Sequence, residues 1–403
     1  MSEGPLSHLK VVEAAGLVSG PYCGKLLADF GADVIKVEPP GSGDAARRRG
    51  PFVDDRENPE ASGLFLYLNS NKRGVTLNLR SAAGQDIFRD LIANADVLIE
   101  DWSPQEAARL GLDYDSLHAL NPRLVVTSIT PFGQTGPWSD YHAHYLNTFH
   151  ASGQGYLLPM NSPGLQHPPV RGAGYLGEYD AAVSAATATL AAVFWRDRGG
   201  SGQHIDVSKQ HAIMHLEKSQ LRRYVDDGEA PDRTGMGRLL ETLVRGKDGQ
   251  YVLIILSSQL QWNGLFEAMG RPQWAASPPF DTQAGRSEHY PELRQRLQDW
   301  ADRHTSEEMF HRIQDCRSAS APVYDAGHFV DSPQADFRNY LVPFDHPVAG
   351  ILRYPGRPWQ FSNVDWQGTQ PAPLLGQHNE EIFGKQLGQS PSELQRLTTA
   401  GVI

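Results

Sequence analysis

The chain has 403 residues, which exceeds one ordinary domain and predicts two lobes. Its 40% hydrophobic content, with 39 glycines and 28 prolines, fits a loop-rich globular α/β protein. The net charge of −11 argues against nucleic-acid binding, because phosphate neutralisation needs a basic face. Cys23 and Cys316 lie far apart in the sequence, so we expect neither a disulfide framework nor a cysteine zinc site.

The amino-terminal sequence MSEGPLSHLK has no apolar segment of the kind found in signal peptides. No apolar run reaches the length that a membrane span requires. The default expectation is therefore a cytoplasmic protein.

Strand-like and helix-like segments alternate along the first half of the chain. Predicted strands cover residues 9–13, 33–37, 75–78, 97–99 and 124–129, and predicted helices cover 22–30, 82–93 with Ser81 as the cap, 181–195 and 211–224. Helical stretches between strands predict a parallel sheet with helices on both faces. The many alanines of 181–195 indicate close helix packing or an interface, although helix propensity also explains them.

A change of composition separates the second lobe. Residues 226–237, DDGEAPDRTGMG, are typical of a linker, and the apolar run YVLIIL at 251–256 predicts a buried strand. The helices that follow carry Trp262 and Trp300, which we interpret as core residues of a smaller α+β lobe.

Residues 31–44, GADVIKVEPPGSGD, combine a turn, a strand and a glycine loop, and three arginines follow at 47–49. Glycines let backbone N–H groups approach an anion, and arginines neutralise it. A nucleotide-like phosphate ligand needs such a surface at the carboxyl end of a strand. Alone, a short Gly-Ser-Gly loop is more often an ordinary turn.

The same stretch resembles the signature of the family III CoA-transferases, which include formyl-CoA and carnitine CoA-transferases and α-methylacyl-CoA racemases. Further similar blocks are LFLYLNSNKRGVTLNLR, ADVLIEDWSPQEAARLGL, LNPRLVVTSITPFGQTGPW, GSGQHIDVS and, near the end, HPVAG, YPGRP and PAPLLGQHNEEIF. Several unusual blocks in the right order make the match specific. Residues 224–331 resemble the family least.

The resemblance implies an open parallel sheet in a large Rossmann-like domain, a smaller α+β domain and an interlocked dimer. On this basis residues 1–225 form the first part of the large CoA-binding domain and residues 226–331 form the smaller domain. Residues 332–403 form a carboxyl-terminal segment that returns to the large domain.

The family's catalytic group is an aspartate eighteen residues before an arginine that leads into the G-x-GQ block. Counting back from Arg196 reaches Glu178, so a glutamate replaces the usual aspartate, and Asp180 is the alternative. A carboxylate can attack an acyl-CoA thioester and then carry the CoA as an enzyme thioester. The purely structural interpretation of Glu178 is a helix amino-terminal residue favoured by the dipole.

His144 occupies the position of the histidine in the family's racemases, nine residues before Gly153. Paired with Glu178, it could remove and return the α-proton of an acyl-CoA as a second base. Four histidines lie in this region, and the alternative interpretation of His144 is a polar residue that lines the pocket. Tyr145 resembles the transferase tyrosine equally well. The histidines show no zinc pattern with a carboxylate, so we expect no metal.

The resemblance also implies a CoA-binding site, whose residues lie in or just after the similar sequence blocks. The predicted residues are Arg47, Asn71, Lys72, Arg73, Trp102 and Arg109. The cations are expected to meet phosphates and Trp102 the adenine. Each, taken singly, could equally be a surface charge or a strand-edge aromatic.

The acid pocket departs from the formyl-CoA transferase pattern. Val18 stands where that pattern has glutamine, and the glycine-rich loop shrinks to Thr234 followed by Gly235, Met236 and Gly237. Both departures argue against oxalate or formate as the acid.

The sequence thus predicts a CoA-transferase that moves CoA from an acyl-CoA to a free carboxylic acid, with no further cofactor. We expect a homodimer that binds neither nucleic acid nor membrane. Two alternatives remain open: an acyl-CoA racemase or isomerase, and a non-catalytic CoA-binding subunit of a hetero-oligomer.

Overall fold

The structure is a computed structural model that describes residues 4–160, 162, 164–216, 218–230, 232–234, 241–364 and 368–403. The chain divides into two compact units. Unit 1 comprises residues 1–158, 169–230 and 338–403, and unit 2 comprises residues 159–168 and 231–337.

The β-strands are short. They are β1 (Lys10–Ala14), β2 (Asp33–Glu38), β3 (Arg73–Thr76), β4 (Val97–Glu100), β5 (Val125–Thr130), β6 (His204–Ser208), β7 (Glu241–Arg245), β8 (Tyr251–Ile255), β9 (Ser320–Pro322), β10 (Leu341–His346) and β11 (Gly350–Pro355).

The α-helices of unit 1 include one long helix, α7. They are α1 (Ser19–Asp29), α2 (Gly63–Leu68), α3 (Ala82–Ala93), α4 (Pro104–Leu110), α5 (Tyr114–Leu120), α6 (Tyr145–Ala151), α7 (Leu176–Asp197), α8 (Lys209–Leu216) and α9 (Lys218–Asp227). Those that follow are α10 (Gln259–Ala268), α11 (Gln283–Glu288), α12 (Tyr290–Ala301), α13 (Ser306–Asp315), α14 (Ala326–Val330), α15 (Pro333–Phe337) and, back in unit 1, α16 (Pro391–Thr399).

Unit 1 is built on a parallel sheet whose described strands have the order β3-β2-β1-β4-β5-β6. The chain moves outward in one direction from β1 to β3 and in the other from β4 to β6. This reversal, between β1 and β4, is the point at which doubly wound sheets bind ligands, beyond the carboxyl ends of the strands. The predicted fold class, an α/β protein with a parallel sheet, is confirmed.

Alternating residues of each strand supply two cores, one on each face of the sheet. Val12 and Ile35 pack with α3 and with Leu397, Val402 and Ile403 of the carboxyl-terminal segment. Val11 and Val34 face α1 and α7 on the other side. Strands buried on both faces are typical of parallel sheets.

Helix α7 lies close to the sheet because its inner face consists of small residues. Ala181, Ala182 and Ala185 are fully buried, and the hydroxyls of Thr189 and Thr127 of β5 lie 2.7 Å apart. The predicted close packing of this helix is confirmed. The helix begins at Leu176, earlier than the predicted residue 181, and this places Glu178 in its first turn.

The helix predicted at 211–224 falls within the described helical residues 209–216 and 218–227, and residue 217 lies outside the described residues. The strand predicted at 75–78 is Arg73–Thr76.

In unit 2, the antiparallel strands β7, β8 and β9 form a sheet in the order β7-β8-β9. Its core contains Trp262 and Trp300, so the interpretation of both tryptophans as core residues is confirmed. Among the described residues, no helix is long and apolar enough to cross a membrane.

Candidate active site

The side chains of Ser19 and Lys209 meet at the carboxylate of Glu178, and we call the three residues the Glu178 cluster. The Ser19 hydroxyl donates to Glu178 Oε2 at 2.6 Å, and the Lys209 ammonium donates to the same oxygen at 2.8 Å. The Glu178 side chain is 7% exposed and that of Lys209 is 15% exposed. A buried carboxylate is thus held by one neutral and one cationic donor.

The cluster forms because three helices begin at the same place. Ser19 is the first residue of α1, Lys209 is the first residue of α8, and Glu178 lies in the first turn of α7. The partial positive charge of a helix amino terminus favours a carboxylate there. Gly177 permits the close approach of α7 and α8, because a Cβ at this position would lie 2.6 Å from Ile213 Cδ1.

Asp180, the alternative nucleophile, lies two positions further along α7. Successive helical residues are rotated by about 100°, so the two carboxylates leave the helix about 200° apart. Asp180 is half-buried, and burial raises its pKa. Ser19 and Lys209 contact Glu178 and not Asp180, which distinguishes the two carboxylates.

Tyr145 and His144 are neighbours in the sequence but differ in their surroundings. Tyr145 is buried, and its hydroxyl donates to the Gly172 carbonyl at 3.1 Å. Burial raises the pKa of Tyr145, and the nearby Glu178 and Asp180 carboxylates add to this effect. His144 is exposed at the start of α6. Within the described residues, no hydrogen bond or ion pair joins its ring to Glu178, so the two-base pair stays a prediction.

A cavity of about 720 Å³ lies at the carboxyl ends of β1, β2, β3 and β4, and we call it the strand-end cavity. The residues that line it include Gly16, Leu17, Pro39, Ser42, Gly43, Asp44, Arg48, Asn78, Arg80, Asp101, Trp102, Glu106 and Gly401. The cavity therefore contains the predicted glycine loop and lies at the reversal point of the sheet, where a nucleotide is expected to bind.

Two carboxylates fix the loop that connects this cavity to the Glu178 cluster. Asp101 accepts from the Gly16 N–H at 2.9 Å, and Asp44 accepts from the Leu17 N–H at 3.0 Å. Ser19 follows two residues later, after Val18, which is 1% exposed. Since consecutive Cα atoms are 3.8 Å apart, the cavity wall at Leu17 and the cluster at Ser19 are direct neighbours. The predicted role of Val18 in the acid pocket stays a prediction.

The guanidinium of Arg47, which the sequence predicts to meet a phosphate, is internal and does not line the cavity. It is 1% exposed and donates to both oxygens of Glu38, at 2.7 and 2.8 Å, to Glu60 at 2.6 Å and to the Pro373 carbonyl at 3.0 Å. Its planar face lies over the Phe65 ring, 3.6 Å from the centroid. With four of its five N–H donors occupied in this way, Arg47 holds the glycine loop in place from the interior.

Asn71, Lys72 and Arg73, which the sequence predicts to contact CoA, do not line the strand-end cavity. They lie at the amino end of β3, whereas the cavity lies at the carboxyl ends of the same parallel strands. The Lys72 ammonium is buried and donates to Glu13 at 2.7 Å, Arg73 pairs with Asp33 and Glu381, and the Asn71 amide donates to Asp29. These contacts link the start of β3 to β1, β2, α1 and the carboxyl-terminal segment.

Of the residues predicted to contact CoA, Trp102 and Arg109 lie at or beside the strand-end cavity. Trp102 lines the cavity, and its ring packs against Phe88. Arg109 is exposed and pairs with Glu106, which lines the cavity. Their contacts with CoA stay predictions. Gly235 and Gly237 lie outside the described residues.

Comparison with known proteins decides the family. The family model described as CoA-transferase family III matches residues 6–379. The chain belongs to CoA-transferase family III. It is 32% identical to succinyl-CoA–D-citramalate CoA-transferase of Chloroflexus aurantiacus, over 99% of this chain and 98% of that protein.

Two further comparisons agree. The chain is 29% identical to formyl-CoA:oxalate CoA-transferase of Streptomyces coelicolor, over 100% of both proteins. The crystal structure of a CAIB/BAIF family protein from Brucella suis superposes with a TM-score of 0.81 at 27% identity, covering 96% of this chain and 100% of that one. As a family III CoA-transferase, the protein transfers CoA between an acyl-CoA thioester and a carboxylic acid.

The sequence did not single out Ser19 and Lys209 at Glu178 or Arg80 at the cavity, and it indicated Arg48 only as one of the arginines at 47–49. All four follow the carboxyl end of a parallel strand, at β1, β6, β3 and β2 respectively. Polar residues in that position line ligand sites in such sheets. This rule narrows the candidates to the segments after the strands, but the contacts within the fold decide which of those residues reach Glu178 or the cavity. In the described part of the chain, no group of three or more His, Cys, Asp or Glu side chains could hold a metal ion.

Glu100, the last residue of β4, is expected to make the folding stability of the protein depend on pH. It is 4% exposed, and burial raises its pKa from the usual 4.5 to about 8, against hydrogen bonds from Ser128 and the Trp102 N–H. Between about pH 4.5 and pH 8 the unfolded chain therefore loses this proton while the folded chain keeps it. Folding stability must then fall as pH rises through this window.

We expect Glu100→Gln to be more stable than the wild type at pH 8 by about 2–4 kcal/mol, with the difference vanishing near pH 4. Glutamine keeps the neutral shape and the acceptor for Trp102. Thermal unfolding midpoints of both proteins, recorded at pH 4, 6 and 8 with one scan rate, measure this difference in stability. The exposed Glu57→Gln is the control. Parallel curves for wild type and Glu100→Gln would show that Glu100 titrates normally.

Proposed function

We propose that Glu178 is the nucleophile of CoA transfer and that the acyl-CoA binds with its nucleotide portion in the strand-end cavity. The observation that carries this proposal is the Glu178 cluster, a buried carboxylate with two donors on one oxygen. The cavity supports the second part, because it adjoins the cluster through Gly16 and Leu17.

The chemistry proceeds by exchange at carbonyl carbons and needs no proton donor. The Glu178 carboxylate attacks the donor thioester, the C–S bond breaks, and CoA thiolate leaves behind a mixed anhydride. The thiolate then attacks Glu178 Cδ, which releases the donor acid and forms the enzyme–CoA thioester. The acceptor carboxylate reverses both steps and departs as the new acyl-CoA.

We propose succinyl-CoA as a donor and a small dicarboxylic acid as the acceptor. Support comes from the relative from Chloroflexus aurantiacus, whose name specifies succinyl-CoA and citramalate. Val18 in place of glutamine and the short glycine segment disfavour formate and oxalate as the acid. Acceptors compared at equal concentration, with new acyl-CoA as the readout, test this specificity.

Arg48 and Arg80 are proposed as the phosphate contacts of the cavity. Both are exposed and line it: Arg48 donates to the Ser42 carbonyl, and Arg80 ends the segment that follows β3. Loss of one charge-assisted phosphate contact costs about 1.5–3 kcal/mol, or about a ten- to hundredfold weaker affinity.

We therefore expect Arg48→Ala and Arg80→Ala to raise KM for acyl-CoA ten- to hundredfold with little change in kcat, because the contact is equal in ground and transition states. KM for the acceptor acid should stay unchanged. Steady-state kinetics measure both, and Arg56→Ala, an exposed arginine outside the cavity lining, is the control. Unchanged KM in both variants would remove the arginines from the site.

A transferase and a racemase differ in the substrates that they require. A transferase needs an acceptor acid and forms a new acyl-CoA by ping-pong kinetics. A racemase exchanges the α-proton of a 2-methylacyl-CoA with deuterated solvent and needs no acceptor. We expect acceptor-dependent transfer and no deuterium uptake. Deuterium incorporation that is lost in His144→Ala would overturn the transferase mechanism.

We further propose a cytoplasmic homodimer. Large apolar side chains on the outer face of α7 support an interface: Val183, Phe194 and Trp195 are 49%, 60% and 62% exposed. Sedimentation equilibrium tests the dimer, and Trp195→Glu is expected to weaken it.

A further inference from the structure

The two donors of the Glu178 cluster contact one oxygen and leave the other to the substrate. Ser19 Oγ and Lys209 Nζ lie 2.6 and 2.8 Å from Oε2. Among the described residues, no hydrogen bond to Oε1 is found. Oε1 is therefore the oxygen available to attack a thioester, and Oε2 is the one that stays in place.

The two oxygens of Glu178 have different roles once Glu178 is acylated. Two of the four proposed steps take place at Glu178's own Cδ: the thiolate attacks it to form the enzyme thioester, and the acceptor carboxylate attacks it to discharge that thioester. In each step one bond forms at Cδ, the electron pair of the C=O bond moves to Oε2, and the leaving group departs when the carbonyl re-forms. Oε2 thus carries the negative charge of both tetrahedral intermediates.

We propose that the Ser19 hydroxyl and the Lys209 ammonium form the oxyanion hole for these two steps. The inference rests on the proposed role of Glu178. Donors about 2.7–3.1 Å from a developing oxyanion are what such a site requires, and both contacts already have about this length.

The charge of Lys209 makes the stabilisation specific for the tetrahedral intermediates. In the resting enzyme its ammonium is paired with the Glu178 carboxylate. In the anhydride and in the thioester Glu178 is neutral, so the partly buried ammonium loses this anionic partner. The pairing returns only when Oε2 becomes an oxyanion, and an interaction that is stronger in the transition state is one that accelerates the reaction.

Ser19 adds a donor that is already oriented. Ser19 is 1% exposed at the first position of α1, and its hydroxyl donates to Oε2. Little reorganisation is then needed when charge develops, which is the condition under which oxyanion donors contribute most.

Rapid-quench measurement of the two half-reactions tests the proposal. Succinyl-CoA without acceptor charges the enzyme, and a dicarboxylic acid added to the isolated thioester discharges it. Mass spectrometry of the peptide that contains Glu178 follows both. We expect Lys209→Met and Ser19→Ala each to slow charging and discharge about 10²–10³-fold. Lys209→Arg should recover part of both rates, and Lys10→Met, an exposed lysine on β1, should match the wild type.

Discharge distinguishes the oxyanion hole from simple positioning of the carboxylate. A residue that only orients the anionic Glu178 would slow charging but not discharge, because Glu178 is no longer an anion in the thioester. Slow charging with wild-type discharge in both Lys209→Met and Ser19→Ala would overturn the proposal. If Lys209→Met cannot be charged at all, Ser19→Ala decides. A wild type that forms no thioester would instead refute the proposed role of Glu178.

Discussion

Glu178→Gln is expected to lower kcat for CoA transfer by about 10⁴-fold or more, since removal of a covalent nucleophile leaves only binding and orientation. Glutamine has the same shape and can still accept from Ser19, so the fold and the cavity should persist. The Kd for CoA, measured by calorimetry, should therefore change less than about threefold. Initial rates of new acyl-CoA formation measure the loss.

Asp180→Asn is the matched control, because it removes the alternative carboxylate on the same helix. We expect it to retain most of the activity. Glu178→Asp should be slow as well, since one methylene less withdraws the carboxylate by about 1 Å from its donors, and such a displacement can cost about a hundredfold. If Glu178→Gln keeps more than a few per cent of wild-type activity while Asp180→Asn is inactive, the nucleophile is Asp180.

Arg47→Met is expected to destabilise unit 1 by about 3–5 kcal/mol, because it leaves the buried Glu38 carboxylate without its guanidinium partner. The side chains of both residues are at most 1% exposed. Arg48→Met makes the same chemical change at the neighbouring, exposed position and should alter stability by less than about 0.5 kcal/mol. Thermal midpoints at one scan rate compare the two.

The pair of variants also separates a structural arginine from a ligand-binding one. Arg48→Met should raise KM for acyl-CoA, and Arg47→Met should lower the midpoint. The double variant Glu38→Gln/Arg47→Met should recover part of the lost stability, since it removes both buried charges. A wild-type midpoint together with a raised KM in Arg47→Met would restore the phosphate role predicted from the sequence.

The sheet could be predicted from the sequence because its signal is local. Val11 and Val12, or Val34 and Ile35, face opposite cores, and apolar runs of this kind between helical segments predict a buried parallel strand. The family blocks added the order of the elements and the position of Glu178.

The burial of charged side chains could not be predicted from such apolar runs. Lys36 interrupts the apolar run of β2, yet it is fully buried and pairs with Glu13 of β1 and with Asp44. Burial lowers and these carboxylates raise the pKa of Lys36, and the carboxylates have the larger combined effect. Whether a charged residue is inside depends on partners from other strands, and a sequence pattern does not contain them.

The same limit applies to the arginines at 47–49, because the sequence does not show which of them reaches the cavity. The three side chains are chemically equal in the sequence, and only the turn that follows Asp44 directs Arg47 inward and Arg48 toward the cavity. Ser19 and Lys209 were missed because each contact with Glu178 joins residues far apart in the chain.

Covalent attachment of CoA to Glu178 can be detected directly. Wild-type enzyme is mixed with succinyl-CoA in the absence of acceptor, quenched in acid, digested and analysed by mass spectrometry. We expect a CoA thioester on Glu178 that hydroxylamine converts to the hydroxamate and that disappears when the acceptor acid is added before the quench. CoA attached at Asp180, or turnover without a covalent adduct at either carboxylate, would contradict it.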